Sequence, residues 1–340
     1  MGPQGNSDTT GGHGTHVTGI ASGSGAASTG DYPLAEAAPG IRGTFTGAAP
    51  ESGIVAYGSG ETLVILAATE AFQHILDNHD PGDPNRIRVI NNSWGDGPGS
   101  QYSPGSVLSC QIKALVNRGV ALVFAAGNSG GNGTADRTSS YCKNPTPGVI
   151  CVASYNDVGT GAIDKSLSGF SSQGKQGRPA KYPDIAAPGD LITSTCIQPE
   201  PGQAVCADGE TRWQPYYGTI SGTSMASPHV VGALALLFQA RPDLTPAQAE
   251  AVLQNTARKV ATNGAYEPDP QNPGGTVNFG FGAGLLNLPA ALDALGVTKA
   301  GQPPAGTESV IFDGDADGAV ADGAADVIKL TVQEASPGVS

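Results

Sequence analysis

"VALVFAAGN", residues 120–128, is an apolar run that breaks abruptly into a glycine and an asparagine. It does not alternate apolar with polar, so a strand here is buried on both faces, as in a parallel sheet covered by helices. "IRVINNS" (87–93), "GVICVAS" (148–154) and "DLITST" (190–195) share that texture and are bounded by turn signals. Helical patterns lie between and after them. "LVILAATEAFQHIL" precedes the first run, and "CQIKALVNR" joins the first to the second. After Ser224, residues Val230, Ala233, Leu234 and Leu237 fall on one helical stripe. A later helix has Thr245 as N-cap, Pro246 at its first position, Gln248 completing a capping box, and Ala249, Val252 and Leu253 as its apolar face. The alternation predicts an α/β fold: a doubly wound, mostly parallel central sheet with helices on both faces.

With 340 residues the chain can bury one large α/β domain, and 50 glycines with 26 prolines imply many tight turns. A net charge of −13 argues against nucleic acid or an anionic membrane as partner, since either demands a basic face. No apolar run approaches the roughly 20 residues that span a bilayer. The opening "MGPQGNSDTT" is polar and lacks the apolar stretch of a signal peptide, so the protein is either cytosolic or begins further upstream. Of five cysteines, Cys196 and Cys206 flank a polar loop and suit a disulfide. Cys151, inside "GVICVAS", reads as a buried small hydrophobe, which leaves Cys110 and Cys142 as possible partners. Such usage fits an oxidising compartment. Beyond about residue 297 the texture becomes linker-like, and residues 301–340 carry seven carboxylates against one lysine. "DGDADG" (313–318) spaces Asp313, Asp315 and Asp317 as a calcium loop does, but its twelfth position is Ala324 where a bidentate Glu is needed. We read 298–340 as an acidic tail or the start of an accessory domain.

Four stretches carry chemistry: "GHGTHVTG" (12–19), "NNSWGDG" (91–97), "AAGNSGG" (125–131) and "GTISGTSMASPHVVGALALL" (218–237). Three of them are strand ends or helix starts, which in an open α/β sheet meet in one crevice. Acyl transfer needs a hydroxyl made nucleophilic by an imidazole. Ser224, opening a helix, gains from unsatisfied backbone N–H groups, and a side-chain amide, Asn128, can give the oxyanion a second hydrogen bond. "SWG" (93–95) and "AAG" (125–127) can serve as edges that pair with a peptide main chain.

"HGTHVTG", "AAGN" and "GTSMASPHVVG" resemble the signature segments of the subtilisin-like (subtilase) serine peptidases, in that family's order. "VINNSWG", "GAAPESGIVAY", "YPDIAAPGDLITST" and "FGFGAGLLN" resemble its intervening segments, so the likeness covers roughly residues 8–297. The resemblance implies a serine endopeptidase acting through an acyl-enzyme, with His13 as general base and acid, Ser224 as nucleophile and Asn128 as oxyanion donor. Ser93, Trp94, Gly95, Ala125, Ala126 and Gly127 then border the substrate cleft, Trp94 serving as a subsite wall or as packing. His16 and His229 become structural histidines. The resemblance also implies protein or peptide substrates, a secreted monomer, a pro-segment in the precursor, no cofactor for the chemistry, structural calcium at most, and a Cys110–Cys142 disulfide.

The departure lies at the front. The family order is Asp, His, Ser, and its aspartate ends a strand some tens of residues before the histidine. Asp8, in "SDTTGG", is the sole carboxylate ahead of His13 and has no strand character. We therefore expect an incomplete triad and a longer natural precursor, with a catalytically impaired fragment or a peptide-binding pseudoenzyme as the alternative. An esterase of the α/β-hydrolase type wants G-x-S-x-G and the order Ser, Asp, His, and a chymotrypsin-type peptidase wants all-β patterning. A metal hydrolase on His13 and His16 lacks a third ligand.

Overall fold

The computed structural model describes residues 12–25, 45–50, 52–57, 65–83, 86–156, 166–200, 203–205, 212–213, 217–260 and 264–297. Helices α1 (His13–Ser22) and α2 (Ile65–Asn78) precede strand β1 (Val89–Asn92); α3 (Val107–Asn117) leads into β2 (Ala121–Ala125). Strand β3 (Val149–Asn156) follows, then the short β4 (Ser166–Leu167) and β5 (Ile185–Pro188). Strands β1, β2, β3 and β5 are parallel neighbours in that order, and β4 pairs antiparallel with the end of β3. The chain then runs through β6 (Ile192–Thr195), β7 (Ile197–Glu200), β8 (Gln203–Val205), β9 (Arg212–Trp213) and β10 (Tyr217–Ile220) into α4 (Thr223–Ala240). Helix α5 (Pro246–Thr256), the hairpin β11 (Glu267–Pro268) with β12 (Thr276–Val277), and α6 (Leu288–Ala294) complete it.

The unalternating apolar runs do bury both faces. Ala121 and Val123 of β2 join Ile150, Val152, Ile185 and Ala187 beneath α4, α5 and α6. Leu122 and Phe124 point the other way, against α2 and α3 through Phe72, Ile75, Ile112 and Leu115. Within β2 size discriminates the faces: Ala121 and Val123 turn to the α4 side, Leu122 and Phe124 to the α2–α3 side. A one-residue slip of β2 would drive Phe124 into the closely packed α4 face, so register is tightly specified. Helix α5 starts as its sequence dictates, with Thr245 accepting from the Gln248 N–H and the Gln248 side chain accepting from Thr245.

Two expectations change. "DLITST" is not a strand of the parallel sheet; its residues 192–195 form β6, which pairs antiparallel with β10 in a separate three-stranded sheet. The fourth parallel strand is "IAAP" of β5, whose alanines carry little β-propensity and whose burial is dictated by neighbours. The disulfide also differs: Cys142 bonds Cys151, with Cα atoms 4.9 Å apart, and Cys110 is free and exposed. The cause is helical geometry. Leu108, Gln111, Ile112 and Leu115 form the buried stripe of α3, and Cys110 lies off it. Cys142 sits on a single 3-10 turn (Ser140–Lys143) packed with Ala126 and Cys151. Cys151 is buried as expected, but oxidised. Cys196 is disulfide-bonded; its expected partner Cys206, like Asp8, the "DGDADG" stretch and all of 298–340, lies outside the described residues. Replacing both Cys142 and Cys151 by alanine should lower stability by about 2–3 kcal/mol, the chain-entropy value for so short a loop, read as a drop in the denaturant midpoint.

Two buried carboxyls hold the start of β3. Glu250 accepts from the Gly148 N–H at 2.6 Å and Asp184 from the Cys151 N–H at 2.6 Å. Burial, reinforced by Asp269, pushes the Asp184 carboxyl up to about 8. Burial and the neighbouring Asp184 push Glu250 the same way. The folded state thus keeps a proton that the unfolded chain releases near pH 4, so stability falls as pH rises from about 4 to about 8. Asp184→Asn keeps the acceptor and removes the titration. We expect its melting temperature to exceed the parent's by about 3 °C or more at pH 8.5, and by less at pH 5.

Candidate active site

Ser224 is the second residue of α4, at the carboxyl end of the parallel sheet. Strand β10 runs straight to this corner, and the Gly222 N–H donates to the Gly189 carbonyl at 2.7 Å. Pro228, inside α4, has no N–H for the Ser224 carbonyl four residues back. The Ser93 hydroxyl supplies the missing donor, reaching that carbonyl at 2.6 Å. The Ser224 hydroxyl donates in turn to the Ser93 carbonyl at 3.2 Å. Asn91 steadies the pair: it accepts from the Ser227 hydroxyl at 2.7 Å and donates to the Ser93 hydroxyl at 3.0 Å. The end of β1 and the first turns of α4 are thereby locked together.

Asn128 lies one loop away, past the end of β2. Its Oδ1 accepts from both the N–H and the hydroxyl of Thr223, each at 2.9 Å. That fixes the amide and turns Nδ2 outward. The direction can be read at Gly222. A methyl group built there would lie 3.4 Å from Asn128 Nδ2, 3.6 Å from the Ser224 nitrogen and 3.7 Å from Met225 Sδ, so both nitrogens border one small space that glycine leaves unfilled. Any side chain at 222 would fill it.

His13 opens α1. The sheet of β6 and β10 clamps this first turn: Thr195 Oγ1 donates to the Thr15 carbonyl and Ser194 Oγ to the His16 carbonyl, both at 2.8 Å. His16 donates from Nε2 to the Gly218 carbonyl at 3.0 Å. Helices α1 and α4 then run side by side. Val17 and Ile20 pack on Met225, and Gly232 is pressed against Ala48 and the Ala21 carbonyl so closely that even a methyl group would collide. Ala21 and Gly232 each follow, by eight residues, the residue of interest on their helix. His13 and Ser224 therefore start two parallel helices at one end of the molecule. His16 and His229 are each engaged by a backbone carbonyl, which suits the structural role expected of them. Burial lowers each to about 4, so both stay neutral near pH 7, with His229 donating to the Met225 carbonyl at 2.9 Å.

The remaining candidates separate. The Trp94 ring turns away from Ser224, edge-on to Phe124 and Tyr141 at 5.6 and 5.1 Å. In "AAG", the Ala126 N–H donates to the Val152 carbonyl and the Gly127 N–H to Thr223 Oγ1, so neither donor is available to a second chain. Ala125 and Ala126 are buried. Gly95 is exposed. Asn91, Thr223 and Ser227 join the site beyond the sequence expectation; for Asn91 the signal is a polar residue breaking the apolar run "RVINNS". Among the described residues no group of three or more His, Cys, Asp or Glu side chains is placed to hold a metal ion, and no helix is long and apolar enough to cross a membrane.

The profile of the Subtilase family (Peptidase_S8) matches residues 2–284. The chain belongs to the subtilase family. Among this subtilase's relatives, "Serine protease AprX" of Bacillus subtilis (strain 168) is 30% identical over 256 residues, which cover 73% of this chain and 53% of AprX. The "Extracellular protease" of Xanthomonas campestris pv. campestris is 34% identical over 217 residues, 63% of this chain and 30% of that protein. "Subtilisin" of Bacillus pumilus is 29% identical over 247 residues, 72% and 70% of the two chains. The match thus spans about half of the first relative and under a third of the second. Two solved structures share the fold. A protease of Pseudoalteromonas arctica superposes with a TM-score of 0.54 at 22% identity, over 83% of this subtilase and 70% of that chain. The S41 psychrophilic protease gives 0.55 at 23%, over 81% and 77%. The subtilase therefore has the expected α/β architecture, with helices on both sides of a parallel sheet.

Proposed function

We propose that this chain is a serine endopeptidase that hydrolyses peptide bonds through an acyl-enzyme. The observation that carries the reading is the space at Gly222, bordered by Asn128 Nδ2 and the backbone nitrogen of Ser224, the residue that carries the hydroxyl. A scissile carbonyl oxygen placed there meets two donors already oriented, which favours the charge of a tetrahedral intermediate over the neutral carbonyl. Ser224 leaves its hydrogen bond to Ser93 and attacks the carbonyl carbon. His13, starting the adjacent helix, takes the hydroxyl proton and returns it to the departing amine. Water then repeats the sequence on the ester.

The main chain of residues 93–95 serves as the edge along which the acyl half of the substrate lies, while of residues 125–127 only the half-buried Gly127 borders the cleft. The reaction requires no cofactor. We further read the protein as secreted and monomeric, with an inhibitory pro-segment in its precursor. The test is labelling by a fluorophosphonate probe. Labelling of the chain that is lost in Ser224→Ala supports the reading, whereas an unreactive Ser224 in a folded protein overturns it.

A further inference from the structure

Leu191 has φ of 55°, and it is the sole non-glycine residue with positive φ among the described residues. An L side chain is strained in that region, where glycine or asparagine would be relaxed. Its side chain is also 39% exposed and belongs to none of the buried apolar clusters. Neither packing nor propensity explains it. What holds it is a small polar ring: the Leu191 N–H donates to Ser221 Oγ at 2.8 Å, and that hydroxyl donates to Asp190 Oδ1 at 2.8 Å. Ser221 is next to Gly222, whose N–H is bound to the Gly189 carbonyl. The strained turn is therefore tied directly to the nucleophile corner.

Its side of the cleft follows from the sheet order β1-β2-β3-β5. Ser224 meets Ser93 at the end of β1, Thr223 meets Gly127 and Asn128 at the end of β2, and Gly222 and Ser221 meet residues 189–191 beyond β5. With the acyl half over 93–95, the departing amine half lies over the 189–191 turn. We infer that Leu191 is a specificity-determining residue that selects an apolar side chain one or two positions beyond the scissile bond. This rests on the proteolytic reading above and adds a substrate preference to it.

The experiment measures anisotropy of labelled peptides on the Ser224→Ala chain, which binds without cutting. Peptides differ only in carrying Leu or Gly at the first and second positions after the scissile bond. Leu should bind about fivefold to tenfold tighter at one of them, the worth of a partial apolar contact at an open rim. In Leu191→Gly and Leu191→Asn, both at ease in the left-handed region, the preference should fall within about twofold while the melting temperature holds or rises. A purely structural Leu191 would shift the melting temperature and leave the preference intact. That result, or no preference on the parent chain, overturns the inference. Hydrolysis of a peptide p-nitroanilide by the chain carrying Ser224, which has no amino acid beyond the scissile bond, reports separately on catalysis. No hydrolysis together with a Leu191-dependent binding preference would remove the peptidase reading and leave the recognition role standing.

Discussion

Ser224→Ala should eliminate fluorophosphonate labelling and reduce kcat by at least about a hundredfold, and by about 10⁶ where a carboxylate orients His13. The two figures differ because a hydroxyl is worth only as much as the base that activates it. With the imidazole fully oriented, losing the nucleophile removes the whole covalent route. Without an orienting carboxylate, much of that rate is already absent, and less remains to lose. The size of the Ser224→Ala effect on peptide p-nitroanilide hydrolysis thus reads out the state of the triad. His13→Ala should have a similar effect, and the double variant should be no worse than the more damaging single, because the two act as one unit. Full additivity would show that they do not.

Asn128→Ala should lower kcat by about 10²–10³, roughly 3–4 kcal/mol, with KM nearly unchanged. The hydrogen bond it removes forms to a charge that exists only after attack, so ground-state binding is spared. Thr223 gives the prediction a second arm. Both of its donors hold Asn128 Oδ1. Thr223→Val keeps the shape but loses the hydroxyl, so it should release the amide in part and cost about tenfold in kcat. Steady-state kinetics on one small substrate check both variants. A KM effect as large as the kcat effect would place Asn128 in substrate binding instead of oxyanion stabilisation.

Much of the architecture was legible before any coordinates. The apolar runs at β1, β2 and β3 lack alternation, which physically requires cover on both faces, and the Thr245 box is a local hydrogen-bond pattern. Two strands depart from the sequence expectation, one for want of local signal and one because local signal does not name a partner. Strand β5 is half alanine and ends in proline, and β6 looks like a core strand yet serves as the clamp on the His13 helix. The disulfide differs from expectation for a tertiary reason: a helix that buries Leu108, Ile112 and Leu115 must turn Cys110 outward, whereas the approach of Cys142 to Cys151 depends on a turn over β3.

At the site the division is similar. Ser224, His13 and Asn128 stand out in the sequence because glycine and small residues crowd around each, leaving room for a peptide to approach. Their partners do not stand out. The donation from Ser93 to a carbonyl orphaned by Pro228, the grip of Thr223 on the Asn128 amide, and the strained Leu191 turn each join residues more than two dozen positions apart. By itself the sequence determined the strand–helix order, the two-faced burial and the choice of candidate reactive side chains, since periodicity and residue type are local properties. Only the tertiary structure decided which strands share the sheet, which cysteines pair and which donors face the open space at Gly222. Those depend on the distances between separate segments, and these exist only after the chain has packed.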